Sequence, residues 1–202
     1  DRMRSLPHRL LIVVIATLTA CSTQTAATTT TNPAPLVNLE LSADGLGDVL
    51  FGLDPDTVVA DISALFGEPD HDSLWVPSEP NLYGACPGES MRAIGWGSLT
   101  AIFIQDDGPD LGGWFFTYTY GYDYSENAGG IDPRGLNLRT QDDVGLDTTI
   151  VELRNIFGDD LAVTGDADLD VWSFETSVFR GLLSGPDDDD VVTLIEPLLG
   201  CD

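Results

Sequence analysis

The chain has 202 residues, in which 8 arginines and no lysine stand against 34 acidic residues, for a formal net charge of −26. A field of that sign repels nucleic acid and anionic membrane surfaces and attracts cations and basic partners, which excludes nucleic acid as a partner. The acids are scattered along the sequence, as in a protein kept soluble where salt screens its self-repulsion.

Residues 1–21 read as a targeting segment. Arg2, Arg4 and Arg9 precede the apolar run Leu10 to Leu18, and the small residues Thr19 and Ala20 precede Cys21, the order of a secretory signal. The run is too short to span a bilayer, which takes about 20 apolar residues. Leu18-Thr19-Ala20-Cys21 resembles the lipobox of bacterial lipoproteins. That resemblance implies that Cys21 receives a diacylglyceryl thioether and becomes the mature amino terminus, so that the protein is exported and lipid-anchored to the outer face of a bacterial membrane. Residues 22–36, STQTAATTTTNPAPL, carry no charge and almost no apolar bulk, and are expected to serve as a disordered, Thr-rich tether.

Two similar units are expected to follow, residues 37–130 and 131–202. DTVVADISALFG (Asp56 to Gly67) aligns without gaps on DTTIVELRNIFG (Asp147 to Gly158), each shortly after a Gly-Leu pair, Gly52-Leu53 and Gly145-Leu146. Apolar residues at three- and four-residue spacing predict an amphipathic helix in each segment. Asp54 followed by Pro55 suits the start of the first helix, Asp147 the start of the second, and Gly67 and Gly158 their ends. After a loop, strand-like runs follow in each half: Arg92 to Trp96, Leu99 to Ile104 and Gly113 to Tyr122, then Val171 to Glu175, Val178 to Leu183 and Val191 to Ile195. The predicted fold is α+β, two tandem helix-plus-antiparallel-meander repeats in a two-layer domain with both helices on one face of the sheet.

The unit GLDPDTVVADISALFGEPD resembles the helix-plus-sheet repeat of the SmpA/OmlA outer-membrane lipoproteins and of the β-lactamase inhibitor protein, which holds two such repeats. The second unit departs from the pattern, with Gly158-Asp159-Asp160 where the first has Gly67-Glu68-Pro69. The resemblance implies a sheet whose open face binds a protein partner, and it carries over no inhibitory residue.

With Cys21 lipidated, Cys86 and Cys201 remain, and in an oxidising compartment they are expected to form a disulfide. Between them lies GGWFFTYTYGYDY, in which Trp114, Phe116, Tyr118, Tyr120, Tyr122 and Tyr124 occupy every second position. On a strand these six share one face, a stripe about 33 Å long that one short helix cannot cover. Two readings are open: a row packed under both helices, or a recognition face for protein, peptide or glycan in which the part from Tyr120 to Tyr124 is accessible.

Catalytic signatures are weak. Past the leader the sole histidine is His71, in the acidic loop GEPDHDS, and a serine triad needs an oriented base. Carboxylate pairs suited to glycoside hydrolysis have no specificity in so acidic a chain. Asp166, Asp168 and Asp170 copy the start of an EF-hand loop, but Val171 and Ser177 stand where Gly and Glu are required. The sequence thus points to a non-catalytic envelope binding module with no cofactor or metal, for a protein partner ahead of a glycan. The rival readings are a hydrolase using paired carboxylates and a passive surface protein.

Overall fold

A computed structural model describes residues 38–106 and 112–201, all within the compact unit Leu36–Asp202. The described residues begin with a small antiparallel meander, β1 (Leu41–Ser42), β2 (Gly45–Leu46) and β3 (Val49–Leu50). Helix α1 (Pro55–Phe66) follows. Then come β4 (His71–Asp72), β5 (Val76–Pro77), β6 (Ser90–Trp96), β7 (Leu99–Gln105), β8 (Trp114–Tyr120) and the ribbon β9 (Tyr122–Asp123) and β10 (Ala128–Gly129). After helix α2 (Ile150–Phe157) and a 3-10 turn at Gly158–Asp160 come β11 (Ala162–Asp166), β12 (Val171–Glu175), β13 (Phe179–Leu183) and β14 (Val192–Pro197).

One large sheet dominates. Its strands run in the order β11-β12-β13-β14-β8-β7-β6-β4, with β5 also on β6, and every pairing is antiparallel. The α+β expectation holds at this coarse level, an antiparallel sheet with two short helices. Both helices send residues into one core, Val58 and Ile62 from α1 and Ile150 and Leu153 from α2. There they meet alternate residues of the strands, Ile94 and Trp96, Leu99, Ala101 and Phe103. At the seam, β14 meets β8 in register only at Ile195 and Tyr120. Close approach there rests on Gly121, at φ +119°, where a Cβ would fall 2.2 Å from the Thr193 carbonyl oxygen. Towards its start β8 is bonded instead to the α1 entry: the Phe115 N–H donates to the Leu53 carbonyl, and the Gly52 N–H to the Phe115 carbonyl, both 2.8 Å.

The helix ends follow the expected chemistry with one correction. Asp54 caps α1, its carboxylate accepting from the Thr57 N–H at 3.0 Å, with Pro55 in the first turn. Asp147, by contrast, does not cap α2. Thr149 does, in a reciprocal capping box with Glu152, because a Thr three residues before a Glu satisfies two free N–H groups where Asp147 would satisfy one. Asp147 is drawn to Arg139 instead. Both helices end on glycines at positive φ, Gly67 at 81° and Gly158 at 54°. The loop expected after α2 contains a strand, β11.

Cys86 and Cys201 form a disulfide, their Cα atoms 4.3 Å apart. It ties the C-terminal residues beneath β6 and β7, beside Met91, Ala93, Ile102 and Ile104.

Candidate interaction face

The two sides of the large sheet are covered unequally, and the aromatic row shows why. In β8 the register against β7 shifts, Thr117 facing Ile102 but Phe115 facing Phe103, which leaves Phe116 as the extra residue of a bulge. The alternation is broken there. Trp114 and Phe116 pack on the helix-free side with the disulfide cluster, whereas Phe115, Tyr118 and Tyr120 join the helix-side core. The six aromatic residues therefore do not form one stripe.

Tyr118 and Tyr120 are 0% and 1% exposed, which corrects their reading as contact residues. The cover that helices alone cannot supply comes from the β1–β3 meander and the segment before α2. The Tyr118 hydroxyl donates to the Ser42 carbonyl at 2.9 Å, and the Tyr120 hydroxyl donates to Asp132 Oδ2 at 2.8 Å while accepting from the Leu138 N–H. Burial pushes both hydroxyls above the ordinary tyrosine range, and the Asp132 carboxylate adds to the effect at Tyr120.

Across the first half of the sheet the helix-free side is also closed, by residues 73–89 and the disulfide. Trp75 lies so close over Gly113 that any Cβ there would meet its ring at 2.1 Å. The rings of Tyr83, Tyr124 and Tyr122 meet in series at 4.7 Å centroid spacing, their planes tilted by 53° and 59°, with His71 5.9 Å beyond Tyr83. His71 Nε2 hydrogen-bonds the Tyr83 hydroxyl, so the sole histidine past the leader is engaged in this ladder. On the same side lie Thr100, Thr117 and Thr119, all buried and with hydroxyls lacking a partner. The Tyr124 hydroxyl lies against Thr119 without meeting hydrogen-bond geometry there.

Beyond the seam, the helix-free side is open. Leu182 is 41% exposed and faces Leu194 across β13 and β14. On one flank of this pair a depression of about 280 Å³ is bordered by Ala162, Thr164, Ser173, Glu175 and the Arg180–Glu196 ion pair. On the other, a depression of about 210 Å³ is bordered by Tyr122, Gly129, Gly130 and Thr193. Arg180 is anchored from below, donating to Glu196 at 2.7 Å and to the Cys201 carbonyl at 3.0 Å. The result is a half-apolar surface built on the paired strands β13 and β14, with the Arg180–Glu196 ion pair at one side and Tyr122, itself part of the tilted ring ladder, at the other. Surfaces of this composition suit macromolecular contact, in which apolar centres are ringed by polar groups.

A second concavity, of about 490 Å³, lies beside α2 and is bordered by Arg139, Asp142, Asp143, Asp147 and Glu152. Arg139 is held there by Asp147 at 2.5 Å and by the Asp143 carbonyl at 2.9 Å. Asp54, Asp70, Asp72, Glu152 and Asp160 are each held below the ordinary carboxylate range by hydrogen bonds they accept. General acid catalysis calls for the opposite displacement. Asp166 is turned inward on its own hairpin, accepting from the Asp168 and Leu169 N–H groups. Among the described residues no cluster of His, Cys, Asp or Glu is arranged to hold a metal, and no helix is long and apolar enough to cross a membrane. Cys21 lies outside the described residues.

Of the six row residues, Trp114, Phe116, Tyr122 and Tyr124 are partly exposed, and Tyr122 alone of them borders the open depressions described above. Sequence reasoning missed Leu182 and Leu194. Their signal was period-two alternation against the buried Gly181, Leu183 and Ile195. In comparisons with known proteins, the chain matches no family model, no curated protein and no solved structure.

Proposed function

We propose that this protein is an exported envelope lipoprotein, anchored through Cys21, that acts as a non-catalytic binding module for a protein partner. The observation that carries the reading is the open half of the sheet: Leu182 is exposed and Leu194 half-buried beside Tyr122, while the corresponding side of the other half is sealed by a disulfide-tied segment. An uncovered apolar centre on rigid strands is the arrangement that binding surfaces use. A glycan fits the same surface less well, because of the two rings that border its depressions, Tyr122 and Phe174, the second is almost wholly buried.

Within the same reading, the sheet consists of two tandem units, each a helix followed by an antiparallel meander, joined where β14 meets β8. The strand order, which runs β4-β6-β7-β8 after α1 and β11-β12-β13-β14 after α2, supports this, as does the gapless alignment of residues 56–67 with 147–158. The resemblance to the SmpA/OmlA and β-lactamase inhibitor repeat points the same way, towards partner binding on the open face.

The test is capture of envelope proteins by the full lipidated chain and by its Leu194→Asp variant, with thermal unfolding followed in the same buffer. A partner held by the parent and lost from a variant that melts normally supports the reading. A partner retained by the variant rules out this face. Anchoring is tested separately: Cys21→Ala should abolish incorporation of labelled fatty acid, and a variant that still takes up the label contradicts the lipid assignment.

A further inference from the structure

The two edges of the large sheet are finished differently. At one end the edge is broken into β4 and β5, two residues each, and β5 ends on Pro77. Short strands and proline are the usual means of keeping a sheet edge from pairing with another chain. At the other end lies β11, five residues in regular register with β12, without proline or bulge, and almost wholly exposed. Alternate residues of such a strand point N–H and C=O groups outward, and this row is a template for one more strand.

The charge around β11 selects what can pair there. Between Arg154 and Arg180 the chain carries Asp159, Asp160, Asp166, Asp168, Asp170 and Glu175, all exposed, and no basic residue. The two sides of the edge also differ. Val163 lies on the side of Phe174 and of Trp172, whose ring packs over Gly165, whereas Ala162, Thr164 and Asp166 lie on the side of Glu175 and Ser173. A strand added here would thus meet an apolar neighbour on one face and an acidic rim on the other.

We infer that β11 is the docking edge for an extended segment of the partner in which Lys or Arg alternates with β-branched apolar residues, joining the sheet as a further antiparallel or parallel strand. This deepens the binding-module reading and rests on it, for the added strand would widen the open face next to Thr164. A second copy of this chain is the poorer occupant, since it would bring an identical acidic edge against this one.

The test uses the full chain with the capped peptide Val-Lys-Val-Lys-Val-Lys, its Val-Glu counterpart, and the lysine peptide with alternate backbone nitrogens methylated. Calorimetry gives affinity and hydrogen exchange gives location. The lysine peptide should bind, slow exchange within residues 162–166, lose affinity on going from low to physiological salt, and bind about threefold more weakly to Glu175→Gln. The N-methylated peptide should bind at least about tenfold more weakly, since its main chain cannot complete the ladder, and the glutamate peptide should not bind. Equal binding of the N-methylated peptide, protection elsewhere than 162–166, or no binding at all would overturn the assignment. So would a salt-induced dimer protected at the same residues, which makes a second copy the occupant. Failure here is distinguishable from failure of the sheet-face reading, which is decided by whether Leu194→Asp loses the natural partner.

Discussion

Breaking the Cys86–Cys201 bridge tests how much of the fold depends on its one long-range covalent tie. The two cysteines are separated by 115 positions, and closing a loop of that size removes roughly 4.8 kcal/mol of conformational entropy from the unfolded chain. Packing adds to this, because Cys86 is buried with Met91, Ile102 and Ile104, and the Cys201 carbonyl accepts from Arg180. A Cys86→Ser/Cys201→Ser double variant should lose about 3 to 5 kcal/mol in denaturant unfolding, with an increased dependence on denaturant as its unfolded state expands. Reduced parent protein should behave like the variant. Hydrogen exchange should place the first loosening in residues 73–89 and 198–201, and leave α2 and β11 to β13 protected. A loss below about 1 kcal/mol, or uniform loosening of both halves, would refute the view that the bridge seals the helix-free side of β6 to β8.

Tyr120→Phe should cost about 1 to 3 kcal/mol, because it removes a donor to Asp132 and leaves the buried Leu138 N–H without its acceptor; a neutral result in thermal unfolding would show that this hydroxyl is not part of the core. Gly181→Ala should destabilise by more than about 3 kcal/mol or prevent folding, since a Cβ would fall 1.9 Å from the Leu194 carbonyl oxygen, and a soluble variant with the parent melting temperature would contradict the β13–β14 register. Acid should destabilise with a defined sign. Hydrogen bonds from Arg134 and Arg92 hold Asp70 and Asp72 below their ordinary 3.8, so their contribution is complete above that value and is lost as pH falls through the lower folded values. Denaturant midpoints should therefore fall below about pH 4, and less steeply in an Asp72→Asn variant, whereas a main loss between pH 7 and 5 would contradict this assignment.

Much of the helix-side architecture was legible because its signals are local. Asp54-Pro55 and the terminal glycines delimit α1, and the strand runs from Arg92 to Ile104 and from Val171 to Leu183 lie within a residue or two of the observed strands. What failed depends on contacts between distant segments. Nothing about Phe116 marks it as a bulge; the shift accompanies the bonding of Phe115 to Gly52 and Leu53, some sixty residues earlier. For the same reason the burial of Tyr118 and Tyr120 could not be read from alternation, as Ser42, Asp132 and Leu138 supply their partners. The small strands β1 to β3 are two residues each, too short for periodicity to register. The cap of α2 has a local signal too, the Thr149-x-x-Glu152 pattern, which lies two residues past the Asp147 that aligns with Asp56 and has no counterpart in the first repeat.

The claim that the open sheet half is the functional surface is tested most directly by placing a photo-activated cross-linking residue at Leu194 in cells, with the same residue at Leu65 as comparison. Leu65 is 42% exposed on α1, in the helical layer. Irradiation should join position 194, and not position 65, to a discrete protein partner. Cross-linking from position 65 with none from 194 would place the contact on the helical layer and contradict the account.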